Sequence, residues 1–593
     1  MLLQKKCVFM VMILGFVCSL LPMRVSADTS ELKPPQIASP LEKKPEKKHP
    51  PKPKKPKVKP KKNPPKTSSK KSGLTSPLPK STTPPKTTPG APEAPQNNPP
   101  STTPKPRRIP QPTSSPLPER QAPTRRPARK FPPPPIIAPI ATPPIYVVLG
   151  QAPPSQGQFG AQIGFEKLNE DWFFKLESRL DLQFGKIGLG LQLPLRFRII
   201  DNNPTQDPPD FFLNLRRQDW DHWTDFVKIV RYIRVGHKHA PIRLKLFGQN
   251  LAFYTRLGEL NSATLGHGTI INHYFNNLDF DRFHAGFELD IHTSYGGFEW
   301  IMNSFFEPRV LGGRVYVRPV SFISPGSFWT RLAVGLSILG DVAAPSLLKE
   351  PPPSPTKVTN KEDLFATFAG VPAIGIDVEL AALQNALIEL RPYMDINFLA
   401  GHGSGFHLGA LGIFKMPFSI SLHARLEYRL LGVGYIPQYF DSFYDMQRYS
   451  MPSYIDGQPA KPKVKILEER TDTLNGFYGE LIFRFGKWLL IGGTFDEYQG
   501  PNNGNLSLTI QLPGFQYFQV SATYIKRGFD GLGELFTFDN RSLFLAEVRV
   551  PIWKIFVASI AMRRVWNPVI QGDKLVYEPV NNFSFNVGVQ FTF

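Results

Sequence analysis

From about Ile145 to the last residue, the chain is written largely in alternating apolar and polar positions. The stretch "FKLESRLDLQF" (174–184) sets Phe174, Leu176, Leu180, Leu182 and Phe184 on one face. Lys175, Glu177, Arg179, Asp181 and Gln183 fall on the other. After Gly185-Lys186, "IGLGLQLPLRFRI" repeats the pattern with seven apolar positions from Ile187 to Ile199. "SISLHARLEYRLL" (419–431), "FHAGFELDI" (283–291) and "FYGELIFRF" (477–485) do the same. A period of two sustained this long specifies strands, because successive side chains of a strand point to opposite faces. Soluble strands usually hold about 5 or 6 residues, whereas a tilted strand crossing a bilayer needs roughly 9 to 11. The segments here match the second figure. The predicted fold is all-β, a transmembrane antiparallel β-barrel of about 16–20 strands over residues 145–593.

The connections support this. Gly185-Lys186, Met416-Pro417, Gly486-Lys487, Pro513-Gly514 and the region of Pro551 are expected as short turns. Residues 200–240, 259–282, 340–371, 432–474 and 566–581 are expected as long loops. Short turns at one end and long loops at the other are the pattern of an outer-membrane barrel. Trp172, Trp329, Trp488, Trp553 and Trp566 fall at predicted strand ends, where amphipathic rings meet lipid headgroups.

The chain finishes on "NNFSFNVGVQFTF" (581–593), with Phe583, Phe585, Val587, Val589, Phe591 and Phe593 on one face. In a closed barrel this strand pairs back onto the first, and lipid covers its apolar face. Asn586, Gly588, Phe591 and Phe593 resemble the terminal signal of Gram-negative outer-membrane proteins. That resemblance implies recognition by the barrel-assembly machinery and a place in the cell outer membrane.

Charge is distributed very unevenly. The net charge of +22 does not belong to the barrel segment. Residues 1–27 have a charged start at Lys5 and Lys6, an apolar run and a small-residue end at Val25-Ser26-Ala27, the layout of a cleaved signal peptide. Both cysteines, Cys7 and Cys18, lie within it, so the mature chain is expected to hold no disulfide. Residues 28–144 contain 35 prolines and 25 Lys or Arg against six Asp or Glu. The tail is thus +19, the leader +3, and residues 145–593 balance 42 charges of each sign. Such a segment has little to bury and is expected to be a disordered, basic, Pro-rich tail in the periplasm. Its composition resembles the Pro/Lys region of TonB-type proteins.

Candidate chemistry is sparse. No Gly-x-Ser-x-Gly stands at a strand-to-helix junction and no His-Glu-x-x-His occurs, so no enzyme, cofactor or metal is predicted. Gly266-His267-Gly268, Gly401-His402-Gly403 and the pair His237/His239 read as flexible, exposed loop histidines, with metal binding as the alternative. The block 254–291 resembles one in alginate-export-like and porin-like barrels; its glycines suit either a loop folded into the lumen or a plain outer loop. The sequence "DWDHWTDFVKIVRYI" (219–233) suggests a short helix over the mouth or in the lumen. The Tyr- and Asp-rich loop 432–474 suits contact with sugars or proteins, or packing on itself. Candidate lumen-lining residues are Lys175, Glu177, Arg179, Asp181, Arg196, Arg198, His423, Arg425, Glu427 and Arg429. Their mixed signs fit an open polar channel or a lumen closed by salt bridges. The expected function is a channel or transporter for an unidentified solute. The alternative is an envelope anchor whose basic tail binds peptidoglycan or another anionic polymer. Outer-membrane lipid is the expected surround, and no nucleic-acid partner is expected.

Overall fold

The computed structural model describes Ile136 and residues 156–593, except 203–208, 239–240, 247–248, 279–282, 354–360, 456–457, 514–516, 540, 554 and 572–573. The expected signal peptide, nearly all of the basic tail and the first residues of the expected barrel segment lie outside the described residues. The alternating segments form β1 (Gln158–Leu168), β2 (Asp171–Phe184), β3 (Ile187–Ile200), β4 (Val230–Val235), β5 (Gln249–Gly258), β6 (Gly286–His292), β7 (Gly296–Met302), β8 (Val310–Val317), β9 (Leu332–Leu348) and β10 (Phe365–Leu380). There follow β11 (Ile388–Leu399), β12 (Gly403–Met416), β13 (Ile420–Leu431), β14 (Leu474–Phe485), β15 (Leu489–Tyr498), β16 (Gly504–Gln511), β17 (Gln519–Phe529), β18 (Ser542–Pro551), β19 (Phe556–Gln571) and β20 (Lys574–Thr592). Ile242–Leu246 pairs with the same edge of β5 as β4 and continues that stave past a bend; Leu383–Gln384 likewise continues β10.

Each strand pairs antiparallel with the next, and β20 pairs with β1 from Lys167↔Phe583 to Gln158↔Thr592. The result is a closed barrel of 20 staves with no free edge. The backbone N–H of Phe593 also donates to Gly157 O at 2.8 Å. An even stave count returns both ends of the barrel segment to the same rim.

Exposure along the strands inverts the order of a water-soluble protein. Leu426 is 69% exposed, while its neighbours Arg425 and Glu427 are 2% exposed. Phe159, Ile163 and Phe165 on β1, Leu336 and Ile338 on β9, and Phe477 and Leu481 on β14 likewise face outward. Charged residues face in. This is a barrel with an apolar belt outside and a polar lumen, the only sheet arrangement that satisfies every backbone group inside a bilayer. Trp329, Trp488 and Trp553 stand exposed at the short-turn rim.

Three expected loops are corrected; the one expected at 200–240 contains β4, whose Val230–Val235 pairs with β3 and β5. Residues 566–581 are not a loop: β19 and β20 run as one long hairpin, paired from Phe556↔Val589 to Gln571↔Lys574. The loop expected at 340–371 shrinks to 349–364, because β9 and β10 rise well beyond the belt. The segment 219–233 does form a one-sided element, a 3-10 helix over Trp223–Ile229. Its apolar residues Trp223, Phe226 and Ile229 are exposed, while its polar Thr224, Asp225 and Lys228 are buried.

Candidate functional site

The lumen is crossed by two loops from the long-loop rim, 259–285 and 432–473. Both turn inward. Their main chains meet through a parallel bridge between Ile271 and Phe440, with Asn272 N donating to Phe440 O (3.0 Å) and Phe440 N to Ile270 O (3.1 Å). Around this bridge Ile270, Ile271, Tyr274, Ile436, Tyr439, Phe440 and Tyr444 form a small apolar core against Val371, Ala373, Leu399 and Leu431 of the wall. The aromatic residues of 432–474 therefore pack on one another and on the wall.

Polar ties fix the loops to inward-facing side chains. His267 sits between two carboxylates, with Nδ1 2.8 Å from Asp395 of β11 and Nε2 3.2 Å from Glu379 of β10. Burial alone would favour the neutral ring. The Asp395 charge and the hydrogen bonds to both carboxylates outweigh it and push His267 up to about 10, so the ring is an imidazolium at neutral pH. Thr269 Oγ1 donates to Asp395 at 2.6 Å, and Arg425 donates to the carbonyl of His267. Gly266 N donates to Glu299 of β7 at 2.8 Å. Gly266 and Gly268 both have positive φ, +55° and +75°, and a Cβ on Gly268 would come 2.7 Å from Arg425 Nη1. The glycines thus let the backbone pass close to the wall's arginine. Further along, His273 Nε2 is 3.1 Å and Asn272 Nδ2 3.3 Å from Glu480 of β14. From the second loop, Tyr444 donates to Asp341 of β9 at 2.8 Å, and Asp441 accepts from Arg527 of β17 at 2.5 Å. On the far side Arg563 of β19 donates to Leu278 O at 2.6 Å.

His267 is a correction to the expectation of exposed loop histidines: it is 6% exposed and held at both ring nitrogens. His237 contacts Arg234, His402 is half-buried in the β11–β12 turn, and His239 lies outside the described residues.

The ten candidate lumen residues fall in two separate sectors, and seven of them, Glu177, Asp181, Arg196, Arg198, Arg425, Glu427 and Arg429, are buried on strands whose outward apolar residues, such as Leu176, Ile199 and Leu426, are exposed. In the first, Glu177 pairs with Lys175 (2.8 Å) and Arg179, Arg196 with Glu166 (2.6 Å) and Asp219 (3.1 Å), Arg198 with Asp171 and Asp210, and Asp181 with Arg231. In the second, Arg425 pairs with Glu480 (2.6 Å), and Glu427 with Arg429 (2.6 Å), Tyr393 (2.5 Å) and His407 (3.2 Å). His423 lies on the same face, opposite buried Ile413 and Ile482. The charges neutralise one another along the wall. The second sector grips the inward loop through Arg425, a role no strand pattern carries.

Ser262, His273 and Glu480 lie in a row, with Ser262 Oγ 2.6 Å from His273 Nδ1. The order resembles a hydrolase relay. Glu480 is also held by Arg425 and Tyr478, so the row ties the inward loop to β14. A polar recess lies between the loops and β15–β17. Thr494, Ser507, Thr509 and Thr523 face it from the wall, and Asn272, Gln438 and Asp441 from the loops.

No family model matches the chain, and no curated protein matches it. Among solved structures it is similar to OccK11 (OpdR) of Pseudomonas aeruginosa, with 10% identity, 74% of this chain and 96% of that chain covered, and a TM-score of 0.29. A BenF-like porin from Pseudomonas fluorescens Pf-5 gives 7%, 74%, 98% and 0.29. OccAB1 of Acinetobacter baumannii gives 10%, 74%, 96% and 0.28. At these scores the likeness carries no argument; the barrel stands on its own strand pairing.

Proposed function

We propose that the chain is an outer-membrane channel that passes small polar solutes through a lumen narrowed by the loops 259–285 and 432–473. The observation that carries this reading is the width of the closed wall set against what crosses it. At about 4.8 Å between strands and a tilt of about 40°, 20 staves give a backbone diameter of ~40 Å, wider than the 16- to 18-stranded barrels that hold aqueous channels. Side chains cannot fill that width. Two loops cross it, held to the wall by an apolar core and by polar and ionic ties, and they leave a polar recess beside β15–β17, which suits a constriction better than a complete plug. The paired charges of the wall support weak selectivity by sign.

Reconstitution in a planar bilayer tests this. Discrete conductance steps are expected, and larger steps when residues 264–275 are replaced by a short Gly-Ser link. A silent membrane with correctly folded protein would refute the channel and favour the anchor.

A further inference from the structure

The barrel wall is not equally tall all round. β6, β7 and β8 hold seven, seven and eight residues. At about 3.4 Å per residue and a tilt of about 40°, seven residues climb ~18 Å, short of an apolar band of ~25 Å. The next strands, β9 and β10, hold 17 and 16 residues. The short sector is flanked at both rims by elements that are not strands, and both are built inside out.

At the long-loop rim the 3-10 helix Trp223–Ile229 docks on the β7–β8 connection 303–309. His222 Nε2 lies 3.3 Å from Glu307, and Trp223 meets Phe306 edge-on at 5.2 Å. Thr224, Asp225 and Lys228 are buried, while Trp223 and Phe226 are 55% and 57% exposed and Phe305 is 53% exposed. At the short-turn rim, between β8 and β9, lie the helix Pro319–Ile323 and the turn Phe328–Arg331. There Ser321 and Thr330 are buried, while Phe322, Ile323, Phe328 and Trp329 point outward, Ile323 at 83% exposure. Tyr295 of the β6–β7 turn packs on Phe322 at 4.9 Å.

A helix in water buries its apolar face and shows its polar one. Both elements do the reverse. Pro319–Ile323 follows directly on the strand that carries the outward Val315 and Val317, and Trp223 packs beside Phe306 and the exposed Phe305 of the β7–β8 connection, so each pad adjoins outward apolar residues of this sector. Amides at the start of these turns are capped within the chain: Thr224 N donates to His222, His222 N to Asp225 (3.0 Å), and Trp329 N to Ser327 Oγ (3.2 Å). Immersion in lipid demands such internal partners.

We propose that these two pads sit in the lipid, one at each headgroup boundary, and complete the apolar belt over the β6–β8 sector, where the strands are too short to span it. The partner is the lipid itself, because the pads extend a surface that already faces lipid. The inference rests on the barrel spanning a membrane, and the test separates the two.

Single cysteines are introduced at Phe226→Cys and Ile323→Cys in full-length protein whose only two cysteines are replaced, Cys7→Ala and Cys18→Ala. Each is spin-labelled in vesicles of phosphatidylethanolamine and phosphatidylglycerol. Leu336→Cys marks the belt and Asp472→Cys the water. Collisions with oxygen should exceed those with a nickel chelate at 226 and 323, as at 336, and the order should reverse at 472. Nickel-dominated collisions at either pad overturn the proposal. So does shielding from both reagents, which would mean that a second copy or another protein covers it. If Leu336→Cys is itself nickel-dominated, the membrane-spanning reading fails first. Should a labelled variant not fold, brominated phosphatidylcholine offers a second measurement: quenching of tryptophan fluorescence should fall in Trp223→Phe and in Trp329→Phe, and unchanged quenching in either overturns that pad.

Discussion

Replacing His267 by alanine should free the inward loop without unfolding the barrel. The ring lies far above its ordinary value of 6.5, at about 10. Each unit of that difference is worth ~1.4 kcal/mol, so the clamp is worth at most ~5 kcal/mol. Removing the ring does not strand both carboxylates, because Asp395 keeps the Thr269 hydroxyl and Glu379 keeps Arg391 at 3.1 Å. A loss of ~3 kcal/mol, the low end for breaking a buried ion pair, is therefore expected. That raises the undocked population of the loop about a hundredfold. Hydrogen exchange read by mass spectrometry should show faster exchange in peptides covering 262–276, with β11 and β13 unchanged, and single-channel records should show larger or noisier steps. The sign with pH follows from a folded value above the ordinary one. The clamp is complete below pH ~6.5 and is lost as pH rises through about 10, so wild type and H267A should converge above pH 10. Lys463, which burial lowers to about 8, titrates in both proteins and drops out of the difference. Equal exchange in 262–276 for wild type and H267A at pH 7 would refute the clamp.

Three further outcomes are expected. Deleting Phe591 to Phe593 removes the Phe159↔Phe591 end of the closing seam, and the truncated protein should lose heat-modifiable migration in membrane fractions. With 42 charges of each sign in residues 145–593 and the wall's candidates paired, reversal potentials in a salt gradient should stay far from the Nernst limit for either ion. The tail of +19 should bind purified cell wall at 0.1 M salt and release it at 1 M, where the Debye length falls from about 10 to about 3 Å; a chain starting near Ile145 behind a signal peptide should still insert but not co-sediment.

Strands such as 187–200 and 420–431 were legible because each face meets one environment along its whole length, lipid or lumen. The pattern failed where that condition fails. Alternation fades over 566–581, which reads as a loop, although Pro568 and Pro579 sit in a paired hairpin. The helix at 223–229 was legible as a one-sided element, but period alone does not say whether the apolar side meets a core or a membrane. The fate of the loop 259–285 left almost no trace. His267's partners lie 112 and 128 residues away, and only the flanking glycines hinted at a constrained backbone.

That distance has a consequence for how the molecule is built in time. The inward loop follows β5, but the groups that hold it belong to β7, β10, β11, β13, β14 and β19. Ile270, Ile271, Tyr274 and Phe275 are made long before anything exists to cover them. Closing contacts at such sequence separation is slow. A late phase, after the seam has formed, is when the loop can find its place, and the apolar segment must be shielded until then.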